Sequence, residues 1–387
     1  MSKTKNFKAK KIVLSVLSTF LVLVLIALVL AATFFGKILL RKNVVEEYTM
    51  ATTLSAPVDA HTDLQSQFLN EKYYWRIAPY ADGSKELSRP DPIHISWSTV
   101  LPTAGYTVRF SEYEEDMSDA LIYPIGEDGK ADVYNLKVGT NYYCAIYTPL
   151  GTRLSTTEKK TLTTENRPPR NMYVDGVTNV RDLGGWSIGG GKRVKQGLIY
   201  RCGRLNENHQ ETPVAKITEQ GIYTMRTQMK VKSEMDLRKT ENNEIGGLTG
   251  SLLGDDVNYF ACPMGWNDNM LLNNTEMVKH IFSDILSKEE NYPLIFHCSI
   301  GTDRTGMIAF LINGLLGVDI NDLYRDYLFS NFGDIGGSRD VIGISFNYVA
   351  TIQNTKGKTL SEKIENHLLS IGVKQAEIDS IRTILSE

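Results

Sequence analysis

The chain has 387 residues, 42% of them hydrophobic and 22% charged, with a net charge of −3. This is ordinary globular usage, long enough for two domains and a tail. The charge balance excludes an extended basic surface, so no nucleic-acid partner is expected.

Lys3, Lys5, Lys8, Lys10 and Lys11 precede an uncharged apolar run over residues 12–36. A helix needs roughly 20 residues to cross a bilayer, whereas the apolar core of a signal peptide runs to about 7–15. The run therefore predicts a transmembrane signal anchor over 12–36, with 1–11 as a cytoplasmic tail. Ala27, Ala31 and Ala32 leave cleavage as the alternative. Five lysines lie before the run, and Lys37, Arg41 and Lys42 after it. That bias places the N-terminus in the cytoplasm and the bulk of the chain outside. Residues 37–85 carry no clear pattern and are expected to form a stalk or the start of the next module.

Over 86–165 short strands alternate with turns. Ile93, Ile95 and Trp97 alternate with polar residues, as do Tyr106, Val108 and Phe110, the period-2 signature of half-buried strands. This spacing predicts a β-sandwich. The early Trp97 and the Leu136…Gly139-Thr-Asn-Tyr142 stretch resemble a fibronectin type III module, in which a tyrosine caps a corner before a strand. No site is expected there. Asn166-Arg-Pro-Pro-Arg170 reads as an extended linker over 166–170.

From 171 to 387 strand and helix candidates alternate. Strands are predicted at 198–200, 231–237 and 294–296, and helices at 276–286, 304–316 and 360–371. The alternation predicts an α/β domain. The four cysteines, Cys144, Cys202, Cys262 and Cys298, form no C-x-x-C pair, and the six histidines form no H-x-H or H-x-x-x-H pair. No zinc site or dense disulfide framework is indicated, and neither a metal nor another cofactor is expected.

The chemistry concentrates in Pro293-Leu-Ile-Phe-His297-Cys298-Ser299-Ile300-Gly301-Thr302-Asp303-Arg304-Thr305-Gly306. An apolar strand delivers His297 and Cys298 to a tight loop, and an apolar helix departs from it. Such a joint aims backbone N–H groups and the positive helix end at one spot, which suits phosphate and a thiolate alike. Cys298 would be ionised there and poised to attack phosphorus. Arg304, six residues on, presents a planar fork that matches two phosphoryl oxygens. Thr305 would donate to the sulfur, and His297 would orient the loop and bias the thiolate. Ser299, Ile300, Gly301 and Thr302 would bind the phosphoryl group through the loop.

H-C-x-x-G-x-x-R-T-G is the signature of the protein tyrosine phosphatase superfamily. Asn179-Val-Arg181-Asp182-Leu-Gly184-Gly185, Leu198-Ile-Tyr200-Arg201, Met235-Asp-Leu-Arg238 and Asp326-Tyr-Leu-Phe-Ser330-Asn331 are similar to blocks of the bacterial tyrosine phosphatase family that includes secreted mycobacterial and Listeria enzymes. The resemblance covers about 171–387 and implies an α/β phosphatase domain, a central sheet flanked by helices around a Cys-x5-Arg loop, preceded here by a β-sandwich and one transmembrane helix. It implies a phosphorylated protein or phospholipid substrate: phosphotyrosine first, with phosphoserine, phosphothreonine and phosphoinositides open. It also implies active-site lining by Arg181 and Asp182. Lysine usually stands where this chain has Thr302, which counts against strong phosphoinositide activity.

The proton donor stays open. A leaving alkoxide or phenolate needs a general acid, and the mobile Trp-Pro-Asp loop of many tyrosine phosphatases is absent. The resemblance points to Asp303; Asp268 and the pair Asp255 and Asp256 are the rivals. Asp236 and Arg238 read as a structural pair, and Cys262 as a core residue or a disulfide partner of Cys298. The alternative to an enzyme is a module that holds a phosphorylated ligand without turning it over.

Overall fold

The structure is a computed structural model and describes residues 16–35, 56–97, 104–154, 160–206, 216–241 and 244–387. The chain divides into two compact units. One holds Met1–Thr53, His94–Asp132 and Tyr142–Thr161; the other holds Leu54–Ile93, Val133–Asn141 and Leu162–Glu387.

In the first unit the apolar run forms a 20-residue helix, Val16–Phe35. At 1.5 Å per residue it is about 30 Å long, enough to span a hydrocarbon core. A membrane anchor and a signal sequence both fit it, and the predicted ends of the run lie outside the described residues. The strands of the module are β1 (Ile93–Ser96), β2 (Thr107–Ser111), β3 (Leu121–Pro124), β4 (Lys130–Val133), β5 (Asn141–Tyr147) and β6 (Lys160–Thr163). They form a pair, β1-β4, and a four-stranded sheet ordered β3-β2-β5-β6. The alternation read in the sequence appears as buried Val108 and Phe110 on β2, and Trp97 packs against Tyr106 with ring centroids 4.9 Å apart.

The second unit is an α/β domain on a mixed sheet. Its strands are β7 (Arg170–Asn171), β8 (Arg181–Asp182), β11 (Ile199–Cys202), β12 (Ser233–Asp236), β13 (Asn258–Ala261) and β14 (Leu294–His297), with a separate hairpin of β9 (Ser187–Gly189) and β10 (Lys192–Arg193). The sheet order is β13-β12-β14-β11-β8-β7. β14 lies parallel to β11 and β12, β13 continues the parallel set, and β8 and β7 close the other edge antiparallel. β11, β12 and β14 are buried at every residue, as strands covered on both faces must be. Leu294 and Phe296 face one core, shared with the helices Asp303–Leu316, Ile320–Phe329, Leu360–Ser370 and Gln375–Leu385, while Ile295 joins Tyr200, Cys202 and Met225 in the other. Gly306 is required where the helix Asp303–Leu316 crosses Tyr327, since an added Cβ would come within 2.9 Å of that ring.

Three expectations change. The described part of the presumed stalk, 56–85, is folded into the second unit: the helix Asp63–Asn70 buries Phe68 completely, against Tyr80, Phe329 and Phe332. An apolar ring and a capping box (Thr62 with Gln65) explain why this stretch is not left extended. Residues 86–93 and 133–141, expected within the sandwich, also belong to this unit. The 166–170 segment is no free linker: Arg167 pairs with Asp59 and Glu165 at 2.9 and 2.8 Å, and His61 Nε2 lies 2.9 Å from the Pro169 carbonyl.

If the 56–93 segment is part of the folded unit, Phe68→Ala should lower the urea midpoint of the full chain by the equivalent of about 3–5 kcal/mol. A midpoint equal to wild type would return the segment to the role of a spacer.

Candidate active site

Cys298 follows β14 directly, and the loop from 298 to 302 ends at the helix Asp303–Leu316. Gly301 turns the loop with φ +69°, and a Cβ there would lie 2.3 Å from the Cys202 carbonyl oxygen, so a side chain is excluded on both counts.

Each carbonyl of the loop accepts from a donor on its outer side. Cys298 O faces His297 Nδ1 at 3.3 Å. Ser299 O accepts from Arg204, through its N–H at 3.2 Å and Nη1 at 3.4 Å. Asn179 Nδ2 donates to Ile300 O and Gly301 O, both at 3.1 Å, and Arg201 Nη2 donates to Gly301 O at 2.7 Å. Thr302 O accepts from the Gly306 N–H at 2.7 Å. Among the described residues, none of the N–H groups from Ser299 to Arg304 donates to a protein acceptor. With its carbonyls turned outward, the loop is left as a ring of donors at the N-terminus of a long helix.

The guanidinium of Arg304 is held by a side chain that the sequence reading missed. Glu244 pairs with it through both oxygens, Nη1 at 3.0 Å and Nη2 more closely still, and accepts from Ser299 Oγ at 2.7 Å. Arg304 Nη1 also donates to Leu237 O and Met264 O at 3.2 and 3.3 Å. Its Nε, buried, has no partner among the described residues. Burial alone would push the Cys298 thiol up. The Arg304 charge, with the hydroxyl and N–H of Thr305, outweighs it and brings the pKa below the ordinary cysteine value. The buried Thr305 hydroxyl has no other hydrogen-bond partner among the described residues.

A cleft of about 680 Å³ is lined by Asp303, Asp268, Lys239, Trp266, Arg339 and Tyr348, among others. Two of the proton-donor candidates thus share one cleft. Asp303 receives Arg339 at 3.2 and 3.4 Å and the Tyr327 hydroxyl at 3.3 Å. Asp256 instead pairs with Arg226 at 2.8 and 2.6 Å, and neither it nor Asp255 lines the cleft.

Arg181 and Asp182 do not line the site. Both are fully buried: Arg181 binds Asp326, Asn179 and Ser330, and Asp182 binds Arg170 at 2.7 Å and the N–H groups of Gly184 and Gly197. As consecutive residues of β8 they point to opposite faces of the sheet, and each is buried there. Thr302 is buried as well, its hydroxyl turned towards Asn179 rather than the cleft, so only its backbone faces the loop centre. Asp236 and Arg238 form the expected pair, at 2.7 Å. All four cysteines are buried and none is in a disulfide, and Cys262 sits in the core. Among the described residues the grouping spaced for a metal ion is Glu234, Asp236 and His297. Its atoms are already engaged with one another and with Ser251, Arg238 and Tyr259, which closes it to an ion. Glu244 and Arg339 come from Gly- and Asn-rich loops without periodicity, so no sequence signal pointed to them. Glu234 stands on a strand, Ser233-Glu-Met-Asp236, that is mostly polar in sequence yet buried throughout, so nothing set it apart.

The sequence profile of the tyrosine phosphatase family matches residues 172–387. A protein of Cupriavidus necator, named as a candidate tyrosine-protein phosphatase, is 29% identical over 178 residues, which cover 42% of this chain and 63% of that protein. The match thus spans less than two thirds of that relative's length. Two solved structures bear a slighter likeness. The core catalytic domain of the PP-IP phosphatase SIW14 from S. cerevisiae, in complex with citrate, has 16% identity, covers 49% of this chain and 90% of that one, and has a TM-score of 0.28. A second Siw14 catalytic core has 17% identity, covers 40% and 81%, and has a TM-score of 0.27. Likenesses of that size bear on neither fold nor substrate. The profile match takes in more than half of the sequence, and the chain belongs to the tyrosine phosphatase family.

Proposed function

We propose that the chain hydrolyses phosphomonoesters through a cysteinyl-phosphate intermediate, with phosphotyrosine as the first substrate class. The observation that carries this reading is the loop of outward-tied carbonyls around a cysteine whose thiol is held low, beside an arginine with an unpaired Nε–H. The loop N–H groups and Arg304 Nε would take the phosphoryl oxygens. Cys298 Sγ would attack phosphorus as the bond to the leaving oxygen breaks. Water would then attack phosphorus and break the S–P bond, with Thr305 donating to the departing thiolate. Asp303 is the proposed donor to the leaving oxygen, since it opens the helix after the loop and lines the cleft; Asp268 is its rival there. Glu244 would position Arg304.

Hydrolysis of phosphoinositides is the second reading. It draws on Lys239 and Arg339, two cations that line the cleft although the loop lacks one at Thr302. The layout proposed is an uncleaved anchor with an external catalytic unit and an intervening fibronectin type III-like module. That catalytic unit would extend beyond 171–387 to take in 54–93 and 133–141.

The full chain should release phosphate from an aryl phosphate without added metal, and Cys298→Ser should abolish the release while circular dichroism stays unchanged; turnover by the serine variant would end the mechanism. The rate should climb as pH rises through the lowered pKa of Cys298, so the acid limb of kcat/KM should lie below the ordinary cysteine range. Asp303→Asn should reduce kcat on a poor leaving group by roughly 100-fold, with Asp268→Asn near wild type; the reverse ranking would transfer the role to Asp268. Glu244→Gln should cost about 10- to 100-fold in kcat/KM through a misplaced Arg304, and an unaltered value would show that Arg304 needs no such support.

A further inference from the structure

Glu234, on β12, is a buried carboxylate that the reaction just described leaves unused. Its Oε1 lies 3.0 Å from His297 Nε2, and neither side chain is more than 1% exposed. On the other side of the ring, Nδ1 lies 3.3 Å from the Cys298 carbonyl oxygen and 3.8 Å from Asp236 Oδ1. Both ring nitrogens therefore face acceptors. A neutral imidazole carries one N–H and satisfies one of them; a doubly protonated ring satisfies both.

The charges around the ring favour the second state. β12 and the residues after it contribute Glu234, Asp236 and Arg238, β13 contributes Tyr259, and β11 places Cys202 opposite His297 in register. Arg238 is committed to Asp236 through three hydrogen bonds, and Ser251 Oγ donates to the second oxygen of Glu234 at 2.5 Å. Two carboxylates thus meet one guanidinium, and a proton on the ring balances the remainder. Burial works against a charged ring, but Asp236 and Glu234 outweigh it and His297 is raised above its ordinary value.

We propose that Glu234 is a positioning residue: it keeps His297 as an imidazolium beneath the phosphate loop, where the Nδ1–H holds the Cys298 carbonyl outward and the ring charge favours the thiolate. The proposal rests on the reading of Cys298 as the nucleophile. It extends the machinery of the loop one strand sideways in the sheet, to a residue that touches no substrate.

Glu234→Gln in the full chain separates charge from geometry. The glutamine amide can donate to Nε2, which leaves an Nδ1–H for the Cys298 carbonyl but removes the ring charge. Alkylation of Cys298 by iodoacetamide, followed on its own peptide by mass, should then rise at higher pH than in wild type. Likewise kcat/KM for an aryl phosphate should fall roughly five- to tenfold at pH 6 yet stay within about twofold at pH 8.5, as expected when a nearby opposite charge is lost. An equal loss at every pH, or alkylation profiles that coincide, would overturn the proposal and leave Glu234 a packing residue. Nitrogen-15 NMR of His297 in the unsubstituted chain at pH 7 removes folding from the comparison. Two protonated ring nitrogens support the proposal, and a neutral ring, with the shared proton on Glu234, overturns it. Should wild type release no phosphate at all, the reading of Cys298 fails, and the NMR result still reports on the ring.

Discussion

The constraint on which the rest depends is the outward orientation of five consecutive carbonyls, from Cys298 to Thr302. A backbone turned that way presents its N–H groups to the centre, and those donors act on the thiolate and on any anion placed there. Left to itself, a five-residue loop would not hold its carbonyls apart, because neighbouring dipoles aligned in one sense repel. Here each is tied by a donor: a ring nitrogen, a carboxamide, two guanidiniums and backbone N–H groups. The long helix that follows adds its positive end at the same point. The pull on the cysteine proton comes from the Arg304 charge, with the hydroxyl and N–H of Thr305 in the first turn of that helix.

Such ties place charge in the interior, and most of the remaining polar architecture serves to neutralise it. Arg181 and Arg201, both fully buried, converge on Asp326 at 3.0 and 2.6 Å. Burial would push the Asp326 carboxyl up, and the two guanidiniums hold it below the usual carboxylate range instead. A buried pair of this kind is weak evidence of stability in itself, because desolvation offsets much of the attraction. Its evident effect is positional: Arg201 reaches Gly301 from one side while Arg181 braces Asn179, which holds the same carbonyl from the other. The conspicuous polar blocks of the sequence are thus scaffold beneath the loop, which accounts for finding Arg181 and Asp182 inside the sheet.

The segment before the phosphatase core belongs to the same arrangement. Ser88 Oγ accepts from the Asn179 N–H at 3.0 Å, and Glu86 accepts from the Thr178 hydroxyl. Phe68 packs with Phe329 and Phe332 at the end of the helix that supplies Asp326. The early part of the chain therefore supports the residue that orients the loop, so its contribution reaches function through Asn179.

Local information determined a good deal. The strand–loop–helix joint, with Cys298 at its turn, and the helix after it follow from neighbours in sequence: an apolar strand, a glycine in a left-handed turn, and a run of residues with helical spacing. The observed Leu294–His297 strand and Asp303–Leu316 helix lie within one residue of the predicted bounds, because backbone and side chains there agree on one structure. The apolar helix near the N-terminus was legible for the same reason. What only the tertiary structure decided was which distant side chains converge. Glu244 reaches Arg304 across 60 residues, Arg339 reaches Asp303 across 36, and Glu234 meets His297 across 63. A carboxylate in a glycine-rich loop looks the same in sequence whether it clamps an arginine or faces solvent. Its role is set by the sheet order, which brings β12 and the segment following it alongside β14, and periodicity along a single strand carries no record of that order.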